Sequence, residues 1–130
     1  EDGSRPALVF MHHPPFITGM GAMDEPFEGA DLLRDVLSRA PWARLCCGHM
    51  HRPIFTAWAQ GLALTVPSIS MQIDLDLSPE GGDTFRMEMP GYMLHHWDGS
   101  HLNSHVCQIP ADVDFSGPHP FADSVNPVED

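Results

Sequence analysis

The sequence predicts an α/β fold, in which one βαβ unit is followed by an antiparallel β meander. Two short apolar runs, Ala7–Met11 and Ala43–Cys47, flank a segment with helical periodicity and indicate the βαβ unit. Further short runs separated by turn residues indicate the meander. A chain of 130 residues, 42% of them hydrophobic, can bury one core, so a single domain is expected.

The first run is continuously apolar, as expected for a strand that is buried on both faces. Pro14 and Pro15 end it. The segment from Phe16 to Phe27 contains glycines and a proline without clear periodicity, which predicts a loop. This loop directly follows the first histidines, where an active-site loop would lie.

The helix is predicted from about Gly29 to Arg39, and Pro41 stops it. Four apolar residues recur there at helical spacing between polar ones: Leu32, Leu33, Val36 and Leu37. The order strand, loop, helix, strand favours neighbouring parallel strands with a right-handed connection.

The second half of the chain has five runs with strand character: Pro53–Ala59, Leu62–Val66, Met71–Leu77, Gly91–His96 and Leu102–Ile109. Asp98-Gly99 between the last two runs predicts a hairpin. Residues 111–130 are rich in proline, glycine and aspartate, which predicts a surface tail. The expected organisation is therefore one domain over residues 1–110 and an extended tail over 111–130.

The charge balance is strongly acidic, with eighteen acidic residues, six basic ones and a formal net charge of −12. Such a surface repels a phosphate backbone, so general nucleic-acid binding is not expected. Small anionic substrates stay compatible with this charge, because metal cations can dominate the field inside a pocket.

The cysteines and the hydropathy favour a cytoplasmic protein. Cys46 and Cys47 are adjacent and cannot readily bridge each other, and Cys107 is alone, so we expect buried or free thiols rather than a disulfide framework. No apolar run approaches eighteen residues, which argues against a membrane helix. The acidic amino terminus does not resemble a signal peptide and looks like a segment entered partway through a longer protein.

Two histidine clusters, His12-His13-Pro14-Pro15 and Gly48-His49-Met50-His51, each follow a predicted strand. Ligands gather at the carboxyl ends of parallel strands, so His12 and His49 are expected to approach each other. Residues two apart in an extended or turning segment project to the same side, which would bring His51 to the same metal or to an adjacent ion. A His-x-His pair alone is common on protein surfaces, but the second cluster favours a metal site.

The sequence resembles the calcineurin-like metallophosphoesterase superfamily, and within it the class III cyclic-nucleotide phosphodiesterases and related glycerophosphodiesterases. The resemblance covers roughly Ala7 to Pro110. Three segments carry it: Phe10 to Pro15, Gly21 to Asp24, and Cys47 to Arg52. It implies that the chain is the carboxyl-terminal half of a four-layer α/β/β/α sandwich.

The resemblance also implies the roles of individual residues. His12 and His49 would bind one metal ion and His51 a second, and the two ions, which could be Fe, Mn, Zn or Co, would activate a water that hydrolyses a phosphodiester. His13 is expected to support a ligand through a hydrogen bond rather than to bind metal. For Asp24, turn capping is favoured over a contact to substrate. Arg52 could contact a substrate phosphate or form a surface ion pair.

Several motifs of the superfamily are absent from this chain: Asp-x-His, Gly-Asp-x-x-Asp and Gly-Asn-His-Glu or Asp. No catalytic residue is therefore assigned in this half, the missing amino-terminal half is the expected partner, and the chain alone is expected to be inactive. The alternative is a noncatalytic binding or oligomerisation module with at most a structural metal. A homo-oligomer contacting through the strands from Met71 onward is compatible with the pattern. The substrate could be a cyclic nucleotide such as cAMP or a glycerophosphodiester.

The remaining histidines are not expected to form a second metal site. Four of them, His95, His96, His101 and His105, fall in the predicted hairpin, where cross-strand packing or surface exposure is the simpler interpretation. The eight methionines show no regular cluster spacing and are interpreted as apolar filler.

Overall fold

A computed structural model describes residues 5–25, 27–81 and 84–110. The described residues form one α-helix, eight strands and a short 3-10 turn at Gly21–Met23. The helix α1 spans Ala30–Leu37, and the strands are β1 Ala7–Met11, β2 Ala43–Cys47, β3 Ile54–Trp58, β4 Gly61–Thr65, β5 Gln72–Ile73, β6 Phe85–Arg86, β7 Gly91–Trp97 and β8 Leu102–Gln108. The predicted tail, residues 111–130, lies outside the described residues.

The predicted βαβ unit is present, but the expected burial of β1 on both faces is wrong, because β1 is an edge strand whose Phe10 is 68% exposed. Strands β1 and β2 pair in parallel, with Ala7 opposite Ala43 and Met11 opposite Cys47. Gly29, at a φ of 95°, precedes the first residue of α1, a conformation that glycine adopts without steric cost. The observed helix differs from the predicted one only at its ends. Ser38, the residue after α1, still has helical φ and ψ. No helix in the described residues is both long and apolar enough to cross a membrane.

One face of the sheet packs against α1. Leu33 and Leu37 of the helix contact the buried cluster that contains Leu45 and Cys47. Burial raises the pKa of the Cys47 thiol to about 12 and that of the adjacent Cys46 to about 11, so both thiols stay protonated near neutral pH. The prediction of buried, unbridged cysteines is therefore confirmed at these two positions.

The prediction of one continuous meander is wrong for β3 and β4. The sheet has the order β1-β2-β4-β3, in which β4 is parallel to β2 and antiparallel to β3. Burial explains the order: Ala63 and Leu64 in β4 have no exposed surface, whereas Phe55 in β3 is half exposed. The strand that buries its residues on both faces occupies the interior of the sheet, and its hairpin partner becomes the edge.

The later strands form two small separate sheets, β5 with β6 and β7 with β8. The predicted strand over Met71–Leu77 is reduced to two residues. Beyond β5 the chain turns, because the Asp76 N–H donates to the Asp74 carbonyl at 3.0 Å and the Asp76 carboxylate accepts a hydrogen bond from the Ser78 backbone N–H at 2.9 Å. The β7–β8 hairpin is confirmed, with Trp97 opposite Leu102 around the Asp98-Gly99 turn.

The β7–β8 hairpin is held to the other face of the sheet by polar contacts. Arg44 of β2 donates hydrogen bonds to the Ser104 hydroxyl and, at 2.8 Å, to the Leu102 carbonyl. His95 contacts the same hydroxyl through Nδ1, and its Nε2 lies 3.7 Å from the Cys46 sulfur. The described elements therefore stack as helix, mixed sheet and hairpin in an α/β arrangement.

We expect His95 to make the stability of the protein depend on pH. Burial and the neighbouring Arg44 guanidinium lower the pKa of His95 below its usual 6.5, so the unfolded chain binds this proton more readily than the folded chain. The free energy of unfolding should consequently fall as the pH drops through and below 6.5. Urea unfolding at pH 7.5 and pH 5.5 measures this change.

The His95→Asn variant should lose part of that pH dependence. The matched control is His96→Asn, because His96 is exposed on the opposite face of the same strand. An equal pH dependence in the wild-type chain and in His95→Asn would show that His95 does not carry it.

Candidate metal centre

The site begins where β1 and β2 end side by side. The Gly48 N–H donates a hydrogen bond to the Met11 carbonyl at 3.2 Å, which extends the parallel pairing by one residue. The next side chains, His12 and His49, meet with their ring centroids 5.4 Å apart. The structure thus brings together the two histidines that the sequence assigned to one metal ion.

His13 belongs to the same cluster. Its ring centroid lies 4.8 Å from that of His12 and 4.3 Å from that of His49. One ligand atom from each of the three residues can be chosen so that all lie within 4.8 Å of one another. His13 is predicted from the sequence only to support a ligand, whereas the structure places it among the potential ligands.

Glu25 is a member of the site that the sequence analysis did not single out. Its Oε2 lies 3.3 Å from His13 Nε2. The residue lies in the loop between β1 and α1, after the 3-10 turn, where no periodic pattern marks it. The feature of the sequence that could have indicated Glu25 is its position in the loop that follows the first histidine cluster.

His51 lies outside this three-histidine group. Its Nδ1 contacts the Met71 carbonyl at 3.2 Å, at the start of the segment that leads into β5. Both His49 and His51 have positive φ, 65° and 50°. A turning backbone therefore presents the two residues, which is one of the two cases that the sequence allowed, but it does not bring His51 into the group around His49.

Backbone carbonyls fix the tautomers of His49 and His51. A carbonyl only accepts, so His49 donates from Nε2 to the Met23 carbonyl at 3.2 Å, and His51 donates from Nδ1 to the Met71 carbonyl. Each ring keeps a lone pair on its other nitrogen, as metal-binding histidines do. The donor set therefore fits a transition metal.

The electrostatics of the cluster favour the neutral imidazole of His49. Partial burial is the main cause of a lowered pKa for His49, and the nearby His13 ring lowers that pKa further. Neutral imidazole is the form that binds metal ions. The cluster therefore keeps His49 in the state that a metal ligand requires.

Gly48 leaves room for the His12 ring. A Cβ at position 48 would lie 3.2 Å from His12 Nδ1 and 3.7 Å from its backbone carbonyl oxygen. The distance of 3.2 Å to Nδ1 is shorter than an ordinary van der Waals contact, so a side chain at position 48 would move the His12 ring. The glycine before the His-x-His pair thus sets the position of a histidine on the neighbouring strand.

Met50 anchors the turn that carries His49 and His51. It has no exposed surface and packs in a small cluster with Met20 and Ile73. The histidines on either side remain partly exposed. The methionine is apolar filler, as predicted, and its burial fixes the turn that presents the two flanking histidines at the surface.

Asp24 is committed to the shape of the loop. Its Oδ1 accepts hydrogen bonds from the Thr18 N–H and hydroxyl, both at 2.8 Å, and its Oδ2 accepts one from the Gly19 N–H at 2.8 Å. These contacts agree with the turn-capping role rather than a contact to substrate.

Arg52 is committed to ionic and backbone contacts. Its Nη2 lies 2.7 Å from Glu88 Oε1, and its Nε donates to the Ile73 carbonyl. Its side chain is mostly buried in these contacts. This geometry matches the ion-pair alternative and ties the end of the His-x-His turn to β5.

No family model matches the chain. It is 37% identical over 118 residues to a probable glycerophosphodiester phosphodiesterase from Arcobacter nitrofigilis, covering 88% of this chain and 42% of the relative. It is 32% identical to a probable cyclic nucleotide phosphodiesterase from Rhodopseudomonas palustris, covering 81% and 39%. A glycerophosphodiester phosphodiesterase from Enterobacter lignolyticus is 31% identical, with 76% and 36% covered.

The chain is a homologue of these phosphodiesterases. The resemblance inferred from the histidine clusters is confirmed by the matched relatives, which carry glycerophosphodiester or cyclic nucleotide phosphodiesterase names. The chain spans about two fifths of the length of these curated relatives.

Substitution of Gly48 is expected to weaken metal binding without unfolding the chain. In Gly48→Ala the new methyl group displaces the His12 ring, so Co²⁺ affinity should fall by about tenfold, as when the support of a ligand is lost. Isothermal titration measures the affinity. Gly21→Ala is the matched control, because a Cβ there meets no atom within 4 Å. Equal Co²⁺ affinities for the two variants would contradict this role of Gly48.

Truncation of Met50 is expected to destabilise the fold. Met50→Ala removes a fully buried side chain and should lower the free energy of unfolding by about 2–5 kcal/mol. Met50→Leu keeps most of the volume and should cost less than about 1.5 kcal/mol. Urea unfolding of both variants measures how much the Met50 side chain contributes to the free energy of unfolding. A loss below about 1 kcal/mol in Met50→Ala would mean that the turn does not depend on this side chain.

Proposed function

We propose that this chain supplies the histidine side of a two-metal phosphodiesterase centre, with His12 and His49 on one ion and His51 on the second. The observation that carries the proposal is the meeting of the His12 and His49 rings beyond the ends of two paired parallel strands. The homology to named phosphodiesterases supports the reaction class. The carboxylate ligands and the remaining layers of an α/β/β/α sandwich come from sequence beyond this chain.

When bound, such metal ions polarise phosphoryl oxygens and lower the pKa of a coordinated water. The residues of this chain hold and orient the ligands. The Met23 carbonyl fixes the His49 ring, and the Met71 carbonyl fixes the His51 ring. Because Nδ1 of His51 is occupied by this hydrogen bond, Nε2 is the nitrogen that would bind a second ion. Gly48 keeps the space that His12 requires.

The proposed substrate is a small phosphodiester, either a glycerophosphodiester or a cyclic nucleotide. Relatives with each of these names match the chain at similar identity, so the shared phosphodiester is the feature that the proposal uses. We propose a reducing, cytoplasmic setting, which is supported by free thiols at all three cysteines of the described residues.

A chimeric enzyme tests the proposed function. The segment of the Arcobacter nitrofigilis relative that this chain matches is replaced by the corresponding residues of this chain, and hydrolysis of bis(p-nitrophenyl) phosphate is measured with Mn²⁺. The chimera should hydrolyse the diester, and the isolated chain should not. His49→Ala in the chimera should lower kcat/KM at least about 100-fold, because it removes a metal ligand.

The control variant is His105→Ala, an exposed histidine of β8 that should leave kcat/KM unchanged. Metal analysis should find two ions per chimera and loss of one or both in His49→Ala. Unchanged metal content in that variant would contradict the proposal and favour the noncatalytic module. Robust turnover by the isolated chain would contradict the expected dependence on further sequence.

A further inference from the structure

We infer that this chain alone binds one divalent transition-metal ion through the imidazoles of His12, His13 and His49, with Glu25 orienting His13. The inference deepens the proposed function and rests on its assignment of His12 and His49 to one ion. It adds His13 and Glu25, which the two-metal proposal does not use, and it excludes His51 from this first ion.

The spacing of the three rings is close to that of a metal site. One ring nitrogen of each residue can be chosen so that the three lie within 4.8 Å of one another. Nitrogens bound to a tetrahedral zinc ion at about 2.0–2.1 Å lie about 3.3 Å apart, so small side-chain rotations would close the cluster around an ion. His51 lies outside this group and is held by the Met71 carbonyl.

The contact between His13 and Glu25 has the form of a supported metal ligand. Metal-bound histidines commonly donate their other ring N–H to a carboxylate or a backbone carbonyl. Glu25 Oε2 lies at ion-pair distance, 3.3 Å, from His13 Nε2, so a small rotation of the ring would let Nε2 donate to the carboxylate and would leave Nδ1 for an ion. His49 follows the same pattern, because its Nε2 donates to the Met23 carbonyl and leaves Nδ1 free.

One turn of the loop between β1 and α1 orients both rings. The Met23 carbonyl holds His49, and two residues later the Glu25 carboxylate holds His13. Asp24, between them, fastens this turn to the backbone of Thr18 and Gly19. The loop therefore acts as a preformed support for two of the three ligands, and a support of this kind favours metal binding by the chain alone.

The donor set specifies the class of metal. Three imidazole nitrogens suit zinc or cobalt better than magnesium or calcium, which prefer oxygen ligands. A three-histidine site leaves a fourth position for water, and the exposure of His12 places that position within reach of solvent. The site is thus a mononuclear centre with one exchangeable position.

Titration of the metal-free chain with Co²⁺ tests the inference. Visible absorption and calorimetry detect the binding. We expect one ion per chain with the intense absorption of four-coordinate cobalt. His13→Ala should weaken the affinity at least about 100-fold, and Glu25→Ala about 10-fold with unchanged stoichiometry. His51→Ala should stay within about threefold of the wild type. Unfolding curves verify that each variant is folded, and His13→Gln provides a more conservative replacement.

The outcomes separate this inference from the proposed function. Loss of binding in His51→Ala with wild-type affinity in His13→Ala would overturn the inference and leave the two-metal proposal standing. The inference would also be overturned, and the two-metal proposal would stand, if the wild-type chain bound no Co²⁺ while the chimera bound two ions. A chimera whose metal content is unaffected by His49→Ala would overturn the proposed function instead.

Discussion

The pairing of Met11 with Cys47 is the constraint on which the candidate site depends. It aligns the carboxyl ends of two parallel strands, so that the residues that follow leave the sheet at the same point. The hydrogen bond from Gly48 to Met11 carries this alignment one residue further. A shift of the register by one residue would reverse the faces of every side chain in β2 and would separate His49 from His12.

The turn after β2 combines backbone strain with compensating contacts. His49 and His51 both adopt the left-handed conformation, which costs a residue other than glycine of order 1–3 kcal/mol in such sparsely populated regions. Complete burial of Met50 and the carbonyl contacts of the two rings offset that cost. Strained backbone held in this way is characteristic of sites where side-chain position matters more than stability. The same contacts therefore stabilise the turn and orient the ligands.

Local patterns in the sequence predicted β1, α1, β2 and the β7–β8 hairpin, because apolar runs, helical spacing and Asp98-Gly99 act over short distances. The insertion of β4 between β2 and β3 was missed, since it depends on which of two similar strands buries more surface in the sheet. The approach of His12 and His49 followed from the βαβ topology. The place of His13 and Glu25 did not, because an irregular loop without periodicity positions both.

Charge decides how many ions the described residues can hold. Two unit charges 4 Å apart repel by about 4 kcal/mol at an effective dielectric constant of about 20, so two divalent ions repel by about four times as much. Neutral imidazoles do not offset that repulsion. Among the described carboxylates, Glu25 is the one within ion-pair distance of a cluster histidine. Both carboxylate oxygens of Asp24 accept hydrogen bonds within the loop. One ion is therefore compatible with the described residues, and a second ion beside His51 would require carboxylates other than the described ones.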